Sequence, residues 1–544
     1  MGRKLRGGNG PDQVMLMPAD PREWLPAGHL AWRVLELAAE MDLSRFGASR
    51  RPDGQGGVPY DPQMMATLLL YCYCRGRRSS REIEMATYDD VGARVICGGL
   101  HPRHSAVAEF VRRNLAAVLA LLPESVKACA AEGLVSVELV AGDGTKLKAN
   151  AAMAANLTQE QLDARIAGLE DLIGAEFRGW AQDMLDGEDL APAPGGPGPG
   201  PGDGDGGGTA AGGTRGTKEP KRPGLVLERR KAARAQLAAR QDARGRQEQE
   251  DLQARTAELA ARVEKKEACV TRREHKAAAR LEDRARKVAA GQKIPGTRPI
   301  AAIDQDREVV RARKALARAR ADHQAACQAA TARPASPEAK VNATDPSSLV
   351  MPLKKGGFDQ LHNVQALATA RTQVILAITR HPSPVDVRAL LPLLEEARRV
   401  LRAAGITDEI LRALFDAGYA SDANFTAGIP EKLYIAVTRE ARQTGRSAGG
   451  RAPRAMLPSW QDMTARLETD EGRELYKQRA ATIEPVFGQL TNRLGRNLHY
   501  RGHAVDAELT LWATSHNILK AITARARRLA RQARPAAAAI PAAP

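Results

Sequence analysis

Aromatic side chains account for only 4% of this 544-residue chain, too few for a single-strand nucleic-acid binder built mainly on base-stacking platforms. The six cysteines, Cys72, Cys74, Cys97, Cys129, Cys269 and Cys327, follow no framework spacing. They read as reduced, intracellular thiols and not as a disulfide scaffold. Cys72, Cys74 and Cys97 with His101 and His104 lack the usual zinc-ligand spacings, and Cys-x-Cys within a helix turns its two thiols in different directions. No apolar run approaches the ~20 residues of a membrane span, and the basic, glycine-rich start lacks a signal-peptide core. The expectation is a soluble, cytoplasmic, nucleoid-associated protein with no membrane partner.

Positive charge is what the chain has in excess. Lys and Arg number 81 against 64 Asp and Glu, a net charge of +17, which points to a polyanionic partner, most commonly nucleic acid. With few aromatics, contact with duplex phosphates fits better than stacking. The cations are spread along the chain and dense between Ala524 and Arg534.

Composition and periodicity divide the chain into five stretches. Residues 1–132 alternate helical patterns with short polar breaks. Asp61-Pro62 and Ser79 or Ser80 are placed as helix caps, and a third helix is expected after His104-Ser105. Consecutive short helices with arginines in their turns suit a helix-turn-helix-like DNA reader or, equally, a packing domain with a solvated basic face. Residues 133–150 hold a β-branched run ending at Gly142-Asp143, which reads as a buried strand. Residues 151–345 are an insertion too long for a loop. It contains a Gly/Pro-rich linker at 193–208 and two long helical stretches, Leu225 to about Gly291 and Asp304 to about Thr331. A short seam at Leu252, Leu259, Val263 and Val270, interrupted by Lys266 and Arg273, gives the insertion a coiled-coil-like character. An antiparallel hairpin of solvated helices is the simpler reading of this arm, and a DNA clamp the other. Strand character returns in residues 346–522, with a hairpin from Asn363 to about Thr379, a helix from near Pro384, and strands ending at Phe415 and near Val437. Residues 523–544 form a basic Ala/Pro-rich tail. The fold class is α/β, a mixed-sheet core preceded by an all-helical domain and interrupted by a helical insertion.

Asp143, Asp416 and Glu484 stand in distinctive settings: Ala-Gly-Asp-Gly-Thr-Lys, Leu-Phe-Asp-Ala-Gly-Tyr and Ile-Glu-Pro-Val-Phe-Gly-Gln. Phosphodiester cleavage needs an activated water, a stabilised leaving 3′ oxygen and charge neutralisation at phosphorus. Two Mg²⁺ ions roughly 4 Å apart supply all three. Hard carboxylate oxygens are the donors such ions prefer. Pro485 biases Glu484 away from helical torsions, so the glutamate is expected at a helix start or kink. Tyr476 and Arg479, three apart, share a helix face suited to DNA near the cut. His516 shares a face with Leu509, Trp512 and Leu519 and reads as a core residue.

Five segments in this order resemble the DDE transposases of bacterial insertion sequences, the group with a helical N-terminal domain and an RNase H-like catalytic core. They are Asp143-Gly-Thr-Lys-Leu-Lys-Ala-Asn, His362-Asn-Val-Gln-Ala, His381-Pro-Ser-Pro-Val-Asp, Asp416-Ala-Gly-Tyr-Ala-Ser and Tyr476 through Gln489. The resemblance implies that Asp143, Asp416 and Glu484 are the catalytic and metal-holding triad for Mg²⁺, with Mn²⁺ as a substitute. Tyr476, Arg479, Lys146, Arg493 and Arg496 become candidate DNA contacts. The expected substrates are double-stranded terminal inverted repeats and target DNA, with a homodimer on paired ends. Where the family commonly has Lys, seven residues after the glutamate, this chain has Thr491. A catalytically inactive or domesticated DNA-binding relative is the alternative of another class.

Overall fold

The computed structural model describes residues 20, 23–47, 58–186, 223–291, 302–331, 339–353, 356–437 and 458–537. The linker expected at 193–208 lies outside them. The chain forms two compact units, one of residues 1–155 with 347–544, the other of residues 156–346.

Local capping chemistry starts the helices of the first unit. After α1 (Leu30–Glu40), the Asp61 carboxylate accepts the backbone N–H groups of Gln63 and Met64, and Pro62 opens α2 (Pro62–Cys74). Ser79 and Glu82 close a reciprocal capping box on α3 (Ser80–Asp89). α4 (Val91–Ile96), α5 (His104–Arg113), α6 (Leu115–Leu119) and α7 (Leu121–Ala131) complete the bundle. Every residue from Met65 to Cys74 is buried, so α2 is its central pillar.

The sheet begins with β1 (Leu139–Lys148), longer than the sequence pattern suggested. Asp143 does not end this strand but sits in its middle, opposite Ala366. The strand continues because Leu147 is buried and Thr145 to Lys148 keep pairing with the following hairpin. In the second unit β2 (Asn156–Leu157) pairs with β3 (Val341–Asn342). That unit also contains α8 (Gln159–Asp186), α9 (Pro223–Ala289) and α10 (Arg307–Thr331).

Back in the first unit come β4 (Leu349–Pro352), β5 (Phe358–Thr369), β6 (Ile375–His381), α11 (Leu390–Ala403), β7 (Arg412–Phe415), α12 (Asp422–Phe425) and β8 (Lys432–Ile435). α13 (Pro458–Glu468), α14 (Asp470–Leu494) and α15 (Ala504–Ala537) close the chain. The sheet order is β4-β5-β1-β7-β8, with β6 also on the outer edge of β5. β5 runs antiparallel to β1, β6 and β4; β7 and β8 run parallel to β1. The expected hairpin is β5–β6, and α11 begins at Leu390, later than the expected start near Pro384.

One hydrophobic core unites the helical bundle with the sheet, running from Ala31 through Val140, Leu394 and Phe415 to Trp512 and Ala521. α15 carries much of it and extends to Ala537, into the stretch expected as a separate tail from residue 523. Arg525 pairs with Glu40 and Glu132, and Arg528 with Glu132, so part of that basic stretch ties α15 to α1 and α7.

The second unit is the helical insertion. α10 lies antiparallel on α9 with Val309, Ala312, Ala319 and Ala326 buried. Arg320 meets Glu267, Arg313 meets Glu274 and Arg280 meets Asp306, a ladder that advances by about two turns on each helix. This is the solvated antiparallel hairpin, closed along the same α9 face as the sequence seam, and Val270 is buried in it. α8 was not anticipated. It packs Leu162, Ile166 and Leu169 against Leu227, Ala233 and Leu237.

Candidate active site

Two parallel strands bring the aspartates together. Leu139, Val140 and Ala141 of β1 pair with Arg412, Ala413 and Leu414 of β7. Continued two residues further, that register sets Asp143 beside Asp416, and neighbouring strands are separated by roughly 4.8 Å. Burial raises the pKa of Asp143, and the charge of Asp416 raises it further; the Gly144 N–H and Arg479 only partly offset this. Burial also raises Asp416, opposed by the Gly418 N–H and Arg479 and reinforced by Asp386. Two like charges in a half-buried place call for a cation.

Arg479 of α14 is the cation present. Its Nη1 donates to Asp143 Oδ2 at 3.1 Å and its Nη2 stands 3.7 Å from Glu484 Oε1. Burial opposes the guanidinium charge, but nearby Tyr476 and Asp143 outweigh it and the Arg479 pKa rises. Glu484 is 63% exposed, on the solvent side of this bridge. Tyr476 Oη donates to the Phe415 carbonyl at 3.2 Å, holding α14 against the residue before Asp416.

Glu484 is not at a helix start: it lies well inside α14, which continues through Pro485. A proline removes the N–H that would bond to the carbonyl four residues back, here that of Ala481. Gln373 replaces it from the β5–β6 turn, donating its Nε2 to Ala481 O at 3.1 Å. Gln373 has φ of 57°, a left-handed conformation unusual for a residue with a side chain. Its carbonyl lies 2.9 Å from His516 Nε2. His516 is a buried core residue, its pKa pulled down to about 3 mainly by burial.

The hairpin supplies further groups that sequence reading did not single out. Asp386, in the loop before α11, accepts Asn363 Nδ2 at 2.8 Å and Gln365 Nε2 at 2.7 Å. Tyr419 Oη donates to Gln365 Oε1. The glycines beside the aspartates make room for this set: a Cβ on Gly144 would come 2.6 Å from Gln365 Nε2, and one on Gly418 3.0 Å from Asp416 Oδ1. The segment ending in Asp386 was visible in sequence. That its loop doubles back over β5 was not.

Lys146 and Arg496 are exposed. Arg493 turns inward, 3.4 Å from Ser515 Oγ, and burial lowers its pKa. Thr491 bonds its own helix at Phe487 O and borders an apolar crevice with Leu147, Val364, Ile378 and Trp512.

Among the described residues no three His, Cys, Asp or Glu side chains converge as a metal shell. The donor set still suits a hard divalent cation: Asp143 and Asp416 repel each other, and the space left by Gly418 adjoins Asp416 Oδ1 and Asp386 Oδ2.

Two domain families match the chain. Residues 19–113 match a transposase domain (DUF772), and residues 453–522 match a transposase DDE domain. Compared with curated proteins and with solved structures, the chain finds no significant match. The two matches, in this order, support an insertion-sequence DDE transposase, and the DDE domain family implies metal-dependent DNA cleavage and strand transfer. The DDE match spans Tyr476, Arg479 and Glu484 but neither aspartate. No single helix among the described residues is long and apolar enough to cross a membrane.

Proposed function

We propose that this chain binds the terminal inverted repeats of its insertion sequence as duplex DNA, cuts a strand at each end and joins the freed 3′-OH to target DNA. Asp143, Asp416 and Glu484 are the catalytic residues, holding Mg²⁺ or, as a substitute, Mn²⁺. The observation that carries this reading is Asp143 in β1 and Asp416 directly after the adjacent parallel strand β7, with Arg479 linking Asp143 to Glu484. An RNase H-like core is supported by a sheet in which three antiparallel strands, β6, β5 and β1, continue into parallel β7 and β8.

When bound, divalent cations supply water activation and neutralise charge at phosphorus. The chain's own groups position the substrate. The Arg479 guanidinium presents charged donors to a phosphate at the aspartates, where bidentate contact is strong. Tyr476 fixes the end of β7 through the Phe415 carbonyl. Exposed Lys146 and Arg496 suit phosphate contacts along the duplex, and the helical bundle of the first 132 residues suits recognition of the repeats. Because two ends must be cut together, a homodimer on paired ends follows. Arg493 faces Ser515, which leaves Arg496 to supply the charge that Thr491 does not.

The test mixes protein and Mg²⁺ with a plasmid carrying the gene and its native flanks, and maps breaks to the nucleotide. Paired cuts at inverted repeats and joined products are expected. Asp143→Asn, Asp416→Asn and Glu484→Gln should bind the flanks yet leave them whole. Normal cutting by Asp143→Asn would overturn the site assignment.

A further inference from the structure

Resting on that reading for its DNA substrate, we propose that the outer face of α10 is a binding surface for the phosphate backbone of duplex DNA, independent of base sequence. Arg307, Arg311, Lys314 and Arg318 follow one another at intervals of four, three and four residues, which sets them on one face of the helix. All four are exposed, while Val309, Ala312, Ala319 and Ala326 turn the other face onto α9. The stripe runs roughly 16 Å along the helix axis, about the rise of five phosphates along one strand of B-DNA.

The hairpin divides its charges between an inner and an outer face. Glu267, Glu274 and Asp306 are engaged by Arg320, Arg313 and Arg280 along the seam, and Glu308 stands near Arg273 and Arg280. Among the described residues the four outer cations have no acidic partner, and Asp304 and Asp322 lie beyond the two ends of the stripe. The outer face of α9 is different: Lys265, Arg272, Lys276 and Arg286 share it with Glu258, Glu264 and Asp283, the mixture of signs usual on a solvated helix. Like charges three and four residues apart weaken a helix, and Arg307 in the first turn opposes the helix dipole. A row of phosphates reverses both costs. No neighbouring side chain fixes the four cations in one geometry, as base readout requires; phosphate contact needs their charge alone.

The test measures binding of the full chain, without Mg²⁺, to a fluorescent DNA duplex of unrelated sequence across a salt series. Arg307→Gln, Arg311→Gln, Lys314→Gln and Arg318→Gln combined keep good helix formers in place. They should weaken binding at least about tenfold and lower the salt slope by about 3–4, with the melting temperature not lowered. Lys265→Gln, Arg272→Gln, Lys276→Gln and Arg286→Gln combined remove the same charge from α9 and should change the slope less than half as much. Arg307→Lys, Arg311→Lys and Arg318→Lys combined should keep the wild-type slope, because point charges suffice for phosphate. A wild-type slope in the α10 glutamine set, equal losses in the α9 and α10 sets, or an equal loss in the lysine set would each overturn the proposal. So would a loss confined to duplex RNA of the same sequence. In any of these cases, paired cuts by wild-type protein at the repeats on the plasmid would leave the function standing. Absence of any salt-sensitive duplex binding by the wild type would overturn both.

Discussion

At the scale of single residues, the site sets like charges close together against Arg479. Asp143 and Asp416 both have raised pKa values, so the metal-free fold favours their protonated forms. Their contribution to stability is present below the unfolded value of about 3.9 and is lost as pH rises through the raised folded values. A divalent cation reverses that penalty. Mg²⁺ or Mn²⁺ should therefore raise the melting temperature more at pH 8 than at pH 5, with the effect gone in Asp143→Asn. Binding at a hundred times Kd corresponds to about 2.7 kcal/mol, within reach of scanning fluorimetry. An equal metal shift at both pH values would contradict this account. Gly144 offers a steric test. Gly144→Ala sets a methyl 2.6 Å from Gln365 Nε2 and should destabilise by about 1–3 kcal/mol, the usual cost of overpacking, read from urea unfolding.

At the scale of elements, the placement of Glu484 depends on how α14 tolerates its internal proline. Pro485 frees the Ala481 carbonyl, and Gln373 caps it from the neighbouring hairpin. Gln373→Ala should cost about 0.5–1 kcal/mol, since the bond to Ala481 is exposed and water can take over the carbonyl. The same substitution in a Pro485→Ala background should cost less, because an alanine there restores the helical N–H. A double-mutant cycle measures the coupling, and strict additivity would show that the cap does not matter. Sequence alone suggested that Pro485 starts or kinks the helix. The donor to the carbonyl that Pro485 frees comes from a residue more than a hundred positions away, beyond any local rule.

At the scale of the whole molecule, two buried titratable groups pull stability in opposite directions with pH. Glu508 lies where α15 meets the α2–α3 turn; burial pushes its pKa up to about 7, although the Tyr500 and His499 N–H groups and Arg78 resist. Its contribution is present below the unfolded carboxylate range and lost as pH rises through about 7. His516 prefers to be neutral, with a pKa of about 3, so folding weakens as pH falls below its unfolded value of about 6.5. Urea unfolding of Glu508→Gln should show a smaller loss of stability than wild type as pH rises from about 4.5 to about 7.5, with equal slopes below about pH 4. An identical slope across that window would remove Glu508 from the explanation. The arm of α9 and α10 is basic. Lys and Arg outnumber Asp and Glu on both helices, and Glu267, Glu274 and Asp306 are engaged between them.

What sequence determined was local or ordered along the chain: the caps at Asp61 and Ser79, the β5–β6 hairpin, the strand delivering Asp416, the two long arm helices, and the five segments that carry the transposase resemblance. Caps, periodicity and motif order depend on residues close together, so they are legible without a fold. Tertiary structure decided the rest. Extension of β1 past Asp143 depends on the partner strand β5, and the Ala481 carbonyl freed by Pro485 finds its donor in Gln373. The roles of Asp386, Gln365 and Tyr419 depend on a loop folding back across the hairpin. Each arises from hydrogen bonds or charges between distant residues, whose meeting depends on strand order and packing.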